Sequence, residues 1–214
     1  MYVPPAFKDD DLDSIRSIIR DARLASLVTA TAEGPIATPL PFFLEESEGE
    51  YGTLYGHLAR ANPQWKLPPV GEALAIFNGP EAYVTPSWYA TKQETGKVVP
   101  TWNYIAVHAY AALRRRDDPE FLRPHLEALT RKHESSRPRP WHVSDAPADF
   151  IDQQMKAIVG VELRIDRLEG KWKMSQNRSS TDIDGVVEGL GASPAPRDQA
   201  VASIVQQRRP AKNG

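Results

Sequence analysis

Apolar residues recur at helical spacing directly after Phe7. Leu12, Ile15 and Ile19 fall on one face of a helical projection, and Arg16 falls on the other face. Acidic residues precede this stretch, where carboxylates suit the positive end of a helix dipole. The pattern therefore predicts an amphipathic helix near the N-terminus.

Helix signals return in the second half of the chain. Asp118 and Pro119 supply an N-cap and a first-turn proline for an apolar stretch that includes His125. A second helix is predicted to begin near Asp145 and to end at Gly160, because glycine is common just past a helix C-terminus. Two shorter helices are predicted over residues 184–190 and 198–207.

Alternation of apolar and polar residues predicts a β-rich first half and further strands near the end. The predicted strands cover residues 24–31, 36–44, 51–59, 72–78, 81–89, 98–114, 161–165 and 172–176. The segments 72–78 and 81–89 are either two strands or one strand that continues past a bulge. Residues 91–96 are predicted to form a polar loop.

Two prolines make the predicted strand 36–44 informative. Pro39 and Pro41 are two residues apart, so their missing N–H groups fall on one side of the strand. That side cannot carry a regular hydrogen-bond ladder. The strand is therefore predicted to lie at an open sheet edge, at a bulge or along a ligand, and an irregular loop is the alternative.

An aromatic stripe follows the long predicted strand 98–114. Its members alternate along the strand and share one face, and they are Trp102, Tyr104, His108 and Tyr110. Such a stripe is more common in a barrel core or a dimer interface than in a ligand platform. All three interpretations remain open at this point.

Composition places the chain among ordinary globular proteins. Its 214 residues are 41% hydrophobic and 25% charged, with a formal net charge of −2 and no cysteine. Neither an export signal nor a membrane span is expected, and a cytoplasmic protein fits these features. We predict one domain over residues 1–190 and a tail over 191–214 that is partly helical or disordered, with disorder expected from Arg208 onward.

The end of the predicted strand 51–59 carries a cluster of hydrogen-bond donors. His57, Arg60 and Asn62 lie just before a helix-starting proline. A guanidinium and a helix start are suited to holding a phosphate. In the alternative, Arg60 is a surface residue and Asn62 is only a helix cap.

Two further patches are rich in polar and aromatic groups. One contains Trp102 and Asn103, and the other contains Lys173, Ser175, Gln176 and Arg178. If their strands lie beside the strand that ends at Ala59, all three patches serve one shared ligand site. A polar turn after a hairpin is the alternative for 173–178.

The sequence lacks the motifs of several common catalytic and binding sites. The five histidines show no close metal-ligand spacing, so no metal site is expected. The chain has no nucleophile-elbow motif and no glycine-rich nucleotide-binding motif. Basic runs such as Arg114–Arg116 usually form solvated surfaces, and no convincing helix-turn-helix is visible.

Five stretches together resemble one known family. They are GHLARANPQW, FNGPEAYVTPSWY, VVPTWNYIAVHAY, GVELRIDRLEGKWKMSQNR and DIDGVVEGL. In their order and length they resemble the PaiB-like FMN-binding negative transcriptional regulators. The resemblance extends from the first residues to about Leu190.

The resemblance implies a mainly β protein with α-helices (α+β). The expected fold is a split β-barrel of the FMN-binding, pyridoxamine-phosphate-oxidase-like type with peripheral helices. In that fold FMN lies at a homodimer interface. By analogy, the strand from His57 to Asn62 meets the phosphate and ribityl chain. Trp102, Asn103 and the turn from Lys173 to Arg178 approach the flavin from the same subunit or its partner.

The resemblance also implies a function, with alternatives from other classes. The first expectation is a flavin-dependent regulator that acts through DNA or a protein partner. The second is an FMN-dependent oxidoreductase that uses NAD(P)H on a small molecule. A third is haem binding, for which His57 or His108 is the ligand to test.

Overall fold

The computed structural model describes residues 1–210 of the chain. Within them, the strands are β1 (Lys8–Asp9), β2 (Ala25–Thr31), β3 (Gly34–Leu40), β4 (Phe43–Glu45), β5 (Thr53–Ala59), β6 (Ala73–Val84), β7 (Thr101–Ala111), β8 (Arg114–Arg116), β9 (Ile158–Arg164) and β10 (Arg167–Lys173). The α-helices are α1 (Leu12–Asp21), α2 (Ala90–Thr95), α3 (Pro119–Glu134), α4 (Ala148–Met155), α5 (Ser180–Gly191) and α6 (Pro196–Gln207). Short 3₁₀ helices cover Pro5–Phe7, Pro63–Trp65, Pro86–Trp88 and Val143–Asp145.

The strands form two sheets. The six-stranded sheet has the order β1-β10-β7-β6-β2-β3, and the four-stranded sheet has the order β4-β5-β9-β8. Pairing is antiparallel between β2 and β3, between β4 and β5, and on both sides of β9. Antiparallel sheets can bury one face and leave the other in water, which accounts for the alternating sequence pattern. The predicted α+β class is confirmed.

The chain folds as two compact units that interleave in sequence. Unit 1 contains residues 1–15 and 78–107 and the described residues from 169 onward, and unit 2 contains residues 16–77 and 108–168. Unit 1 buries Val84, Val107, Met174, Val186, Leu190, Val201 and Val205. Unit 2 buries Leu27, Leu54, Leu58, Phe77, Val159 and Leu163. Burying one such aliphatic or aromatic side chain contributes about 1.5–3 kcal/mol.

Side-chain caps fix the N-termini of both predicted amphipathic helices. Asp11 Oδ2 accepts hydrogen bonds from the backbone N–H and the hydroxyl of Ser14 at 3.0 and 2.6 Å, just before α1. Asp118 Oδ1 accepts from the Phe121 N–H at 2.8 Å and caps α3. Both helices were predicted from nearby residues alone, and both are confirmed.

The proline-containing strand lies at a sheet edge, as predicted. β3 is the last strand of its sheet, and Pro39 stands opposite Ser26 of β2. The other edge of β3 needs no donor from Pro39, which is why proline is tolerated there. The prediction of a single strand over residues 36–44 was wrong, because the chain leaves β3 at Leu40 and enters the other sheet as β4.

Two local predictions fail because distant residues decide the structure. The expected loop over 91–96 is helix α2, whose first turn is held by Asp182: its carboxylate accepts from the N–H and the hydroxyl of Thr91, both at 2.9 Å. Gly160 does not end a helix but lies inside β9. A Cβ at Gly160 would lie 2.3 Å from Phe121 Cε1, so only glycine fits.

The strands decide one open alternative and exclude one interpretation of another. Segments 72–78 and 81–89 form one strand, β6, up to Val84. Along β7 the odd positions from Asn103 to Ala111 are buried and Ala106 is the one buried even position, whereas Trp102 is 55% exposed. The aromatic stripe is therefore not core.

The predicted final helix is confirmed as α6. It buries Val201 and Val205, and Arg208 just beyond it pairs with Asp9 at 2.5 Å. Disorder was predicted from Arg208 onward, but Arg208 and Arg209 form ion pairs with Asp9 and Asp184, and residues 211–214 lie outside those described. Among residues 1–210, none of the helices combines the length and apolarity needed to cross a bilayer.

Candidate functional site

The end of β5 in unit 2 positions Asn62 as a helix cap. Its Oδ1 accepts from the Gln64 N–H at 2.9 Å, and its Nδ2 donates to Thr38 Oγ1 at 2.9 Å. Both ends of the amide are therefore engaged within unit 2. Asn62 holds the turn that follows β5, and its predicted contact with a cofactor stays a prediction.

Arg60 makes several contacts with the turn between α4 and β9. Its Nε donates to the Lys156 carbonyl at 2.7 Å, and its Nη2 donates to the Ile158 carbonyl at 2.8 Å. Its Nη1 lies 3.9 Å from Asp117 Oδ2. These partners use much of the guanidinium fork. The structure thus gives Arg60 a role in fixing this turn, and phosphate binding by Arg60 stays a prediction.

His57 is paired with a second histidine of unit 2. Its Nδ1 lies 3.0 Å from His125 Nε2, and the two rings meet edge to face. Burial lowers the pKa of His57. Burial, followed by the neighbouring His57, lowers the pKa of His125 to about 4. Both imidazoles are consequently neutral near pH 7, and neither offers a positive charge to an anion.

Asn103 and Ser175 meet in unit 1, although they are far apart in sequence. Asn103 is fully buried, its Nδ2 donates to Ser175 Oγ at 3.0 Å, and its Oδ1 accepts from the same hydroxyl at 3.2 Å. Ser175 has a φ of 65°, in the left-handed region that non-glycine residues seldom occupy. Such backbone strain persists where the surroundings demand it, and it is common at ligand sites.

Lys173 and Arg178 lie close to this pair, and Lys171 lies near Lys173. Lys173 Nζ donates to the Trp102 carbonyl at 2.6 Å and to Thr101 Oγ1. Burial lowers the pKa of Lys173, and the charges of Lys171 and Arg178 lower it further. Within residues 1–210 none of these cations has a carboxylate partner. An unneutralised group of positive charges favours an anionic ligand.

The remaining predicted residues of unit 1 differ in their surroundings. Gln176 closes its own turn, because its Oε1 accepts from the Met174 N–H at 2.7 Å and its Nε2 donates to the Trp172 carbonyl at 2.6 Å. Trp102 presents an exposed ring that packs edge to face against Tyr83 at 5.8 Å. Gln176 shapes the turn, and Trp102 offers an aromatic surface.

A small concavity lies among the polar residues of unit 1. Its volume is about 50 Å³, and it is lined by Thr101, Asn103, Lys173, Ser175, Asn177 and Arg178. Since a water molecule takes up about 30 Å³ in the liquid, this volume suits one small polar group. The donor-rich lining fits a phosphate or the carbonyl edge of a flavin ring. We refer to these six residues as the cationic cluster.

The structure thus brings four predicted site residues together, Asn103, Lys173, Ser175 and Arg178. His57, Arg60 and Asn62 belong to unit 2, where each has its own partners. Thr101 and Asn177 were missing from the predicted site. Thr101 shares a strand face with Asn103, and this two-residue spacing was the signal that could have identified it.

Comparison with known proteins gives consistent matches. The family described as "Putative FMN-binding domain" matches residues 1–167. The chain is 37% identical to an uncharacterized protein of Emericella nidulans, over 97% of each chain. It is 31% identical to the protease synthase and sporulation protein PAI 2 of Bacillus subtilis (strain 168), over 97% of this chain and 98% of that one.

Comparison with solved structures identifies the fold class. The FAD and heme binding protein from Mycobacterium smegmatis superposes with a TM-score of 0.56 at 15% identity, covering 83% of this chain and 78% of that one. At this identity the likeness concerns the fold alone, and it confirms the predicted split-barrel class. The turn from Lys173 to Arg178 lies beyond the residues matched by the family, so its assignment depends on its geometry.

Proposed function

Because the chain belongs to the FMN-binding domain family, we propose that it is a flavin-dependent regulator that works as a cytoplasmic homodimer. The family membership assigns FMN as the cofactor. The full-length similarity to a sporulation protein supports a regulatory role. When bound, FMN supplies hydride and single-electron transfer, while the protein sets its position and electrostatics.

The cationic cluster is the structural feature that most directly supports FMN binding by this chain. FMN brings negatively charged phosphate oxygens and ring carbonyls, all of which accept hydrogen bonds. Lys173 and Arg178 supply charge without a competing carboxylate from residues 1–210, and Asn103 and Ser175 hold each other in place. We propose that these four residues hold an oxygen-bearing end of FMN. Contact of His57, Arg60 and Asn62 with FMN stays a separate prediction from the sequence.

A homodimer is supported by exposed apolar groups on unit 1. Trp102 is 55% exposed, Tyr83 is 47% exposed and Val99 is 65% exposed. The Trp102 carbonyl accepts from Lys173, so this surface adjoins the cationic cluster. Contiguous exposed apolar groups beside a polar rim are typical of protein interfaces. A second copy that covers Trp102 would also shield the flavin from water.

Replacing Trp102 by Ser is expected to shift the protein from dimer to monomer. The substitution removes a large aromatic ring, and such rings often dominate interface energetics. The oligomeric state is measured by sedimentation at several protein concentrations. The exposed Trp141 of unit 2 provides the matched control, since Trp141→Ser is expected to leave the dimer intact. A monomeric parent protein would contradict the proposal.

The regulatory role predicts binding to a nucleic acid that depends on the flavin. FMN-loaded and FMN-free protein are each used to select fragments from a genomic DNA library. We expect the loaded protein to enrich discrete fragments, with binding that weakens as salt rises. A failure to enrich any fragment, together with sustained bleaching of the flavin by NAD(P)H, would instead favour the FMN-dependent oxidoreductase.

A further inference from the structure

A second and larger cavity lies in unit 2, between α3 and strands β4 and β5. Its volume is about 610 Å³, within the range of small-molecule sites. The helix side consists of residues spaced to share one face of α3, among them Phe121, His125 and Ala128. The strand side includes Phe43 of β4 and Tyr55 of β5. None of the predicted FMN contacts lines this cavity.

Aromatic rings form one part of the cavity wall. Phe121 lies 5.5 Å from the Tyr55 ring and stacks on His125 with an interplanar angle of 5°. Phe121 can sit this close to the sheet because Gly160 has no side chain beneath it. The faces of such rings carry partial negative charge and attract cations, and the Arg116 guanidinium already lies over the Phe121 ring, 4.7 Å from its centroid. The wall is therefore apolar but attractive to positive charge.

Carboxylates dominate the rim of this cavity. The four acidic lining residues are Glu45, Glu48, Asp118 and Glu120. Hydrogen bonds from Ser47 lower the pKa of Glu45, and the Phe121 N–H lowers the pKa of Asp118, so both are ionised at neutral pH. The Tyr55 hydroxyl donates to Glu48 and holds that carboxylate beside the aromatic wall.

The two lining arginines do not cancel this negative charge. Arg116 donates to Glu162 at 2.7 Å and approaches Asp118 at 3.5 Å, so its charge is already matched. Arg131 is the other lining cation, so the lining has two arginines and four carboxylates and keeps an excess of negative charge. His125 is neutral near pH 7, as described above, and does not repel a cation. An anion such as FMN would meet net repulsion here.

We propose that this cavity binds a small organic cation, in which an ammonium group is attached to an apolar or aromatic body. The carboxylates pair with the ammonium group, and the rings of Phe43, Tyr55 and Phe121 pack against the body. Cation–π attraction and ionised acceptors together distinguish such a ligand from a neutral molecule of the same shape. The lining of this cavity has no residue in common with the cationic cluster.

Three phenylalkyl probes of similar size and different charge test the proposal on the purified full-length protein. Calorimetric titration is carried out with phenethylammonium, with 2-phenylethanol and with 3-phenylpropionate. We expect saturable binding of phenethylammonium that weakens with ionic strength, at least tenfold weaker binding of the alcohol, and no binding of the carboxylate. Equal affinity for all three probes, or no saturable binding of phenethylammonium, would overturn the proposal.

Two variants locate the binding. Glu48→Gln keeps the side-chain shape and its acceptor for Tyr55 but removes the charge, so we expect about tenfold weaker binding of phenethylammonium and little change for the alcohol. Glu33→Gln, in the exposed turn between β2 and β3, is the matched control and should leave both affinities unchanged. Unchanged affinity in Glu48→Gln, or an equal loss in Glu33→Gln, would refute the assignment to this cavity. Thermal unfolding of both variants confirms that each remains folded.

Discussion

Replacing Lys173 by Met is expected to weaken FMN binding by about 10–100-fold. The substitution keeps a flexible apolar stem and removes the ammonium group that points into the cationic cluster. A hydrogen bond from a charged donor is worth about 1.5–3 kcal/mol, which corresponds to this loss of affinity. The dissociation constant is measured by following flavin fluorescence as apoprotein is added.

Comparison with riboflavin shows which part of FMN Lys173 contacts. A loss confined to FMN assigns Lys173 to the phosphate, whereas an equal loss for riboflavin assigns it to the ring. Lys97→Met is the control, because Lys97 is an exposed lysine of unit 1 outside the cluster. An FMN affinity that is unchanged by Lys173→Met would remove this residue from the cofactor site.

The second large effect is a loss of stability on acidification through the His57–His125 pair. The pKa of His125 is about 4 in the folded protein, against an ordinary value of 6.5 in the unfolded chain. The unfolded chain therefore binds more protons between these values, and stability falls as the pH falls from about 6.5 towards 4. Between pH 7 and pH 5 this histidine alone accounts for a loss of about 2 kcal/mol.

Urea unfolding of the parent protein and of His125→Gln at pH 7 and pH 5 measures this effect. Gln can still hydrogen-bond to His57 but does not titrate, so we expect the variant to lose less stability on acidification than the parent. The exposed His142 serves as control, and His142→Gln should keep the parent slope. A variant that follows the parent slope would show that His125 is not the group responsible.

The parts of the fold that were predicted correctly have causes that are local in sequence. The start of α3 is set by Asp118 and Pro119, and the edge position of β3 follows from the missing N–H of Pro39. Both effects act within a few residues or within one strand. A single sequence contains all the information that they require.

The parts that could not be predicted depend on residues brought together by folding. Helix α2 is fixed by Asp182, which is 91 positions from Thr91, and its own sequence lacks a clear helix signal. Gly160 is required because Phe121 packs against it, and the pairing of His57 with His125 spans 68 positions. No periodicity or motif encodes such contacts, because many other pairings would suit the same residues equally well.

The candidate site likewise has features that the sequence predicts and features that only folding determines. The sequence identified Asn103 and the turn from Lys173 to Arg178 as polar groups with ligand-binding chemistry, and the structure joins them through the Asn103–Ser175 hydrogen bonds. Nothing in the sequence indicated that the Arg60 guanidinium would donate hydrogen bonds to the carbonyls of Lys156 and Ile158. Residue types indicate which chemistry is available, whereas partners decide which groups are free to bind a ligand.

Mass spectrometry of the small molecule released when the native protein is denatured tests the FMN-binding claim most directly. The protein is purified without added flavin, and a second sample is first saturated with FMN and dialysed. We expect FMN in near-stoichiometric amount in the saturated sample, and the same molecule in the untreated one. A protein that releases no flavin in either sample would contradict the account.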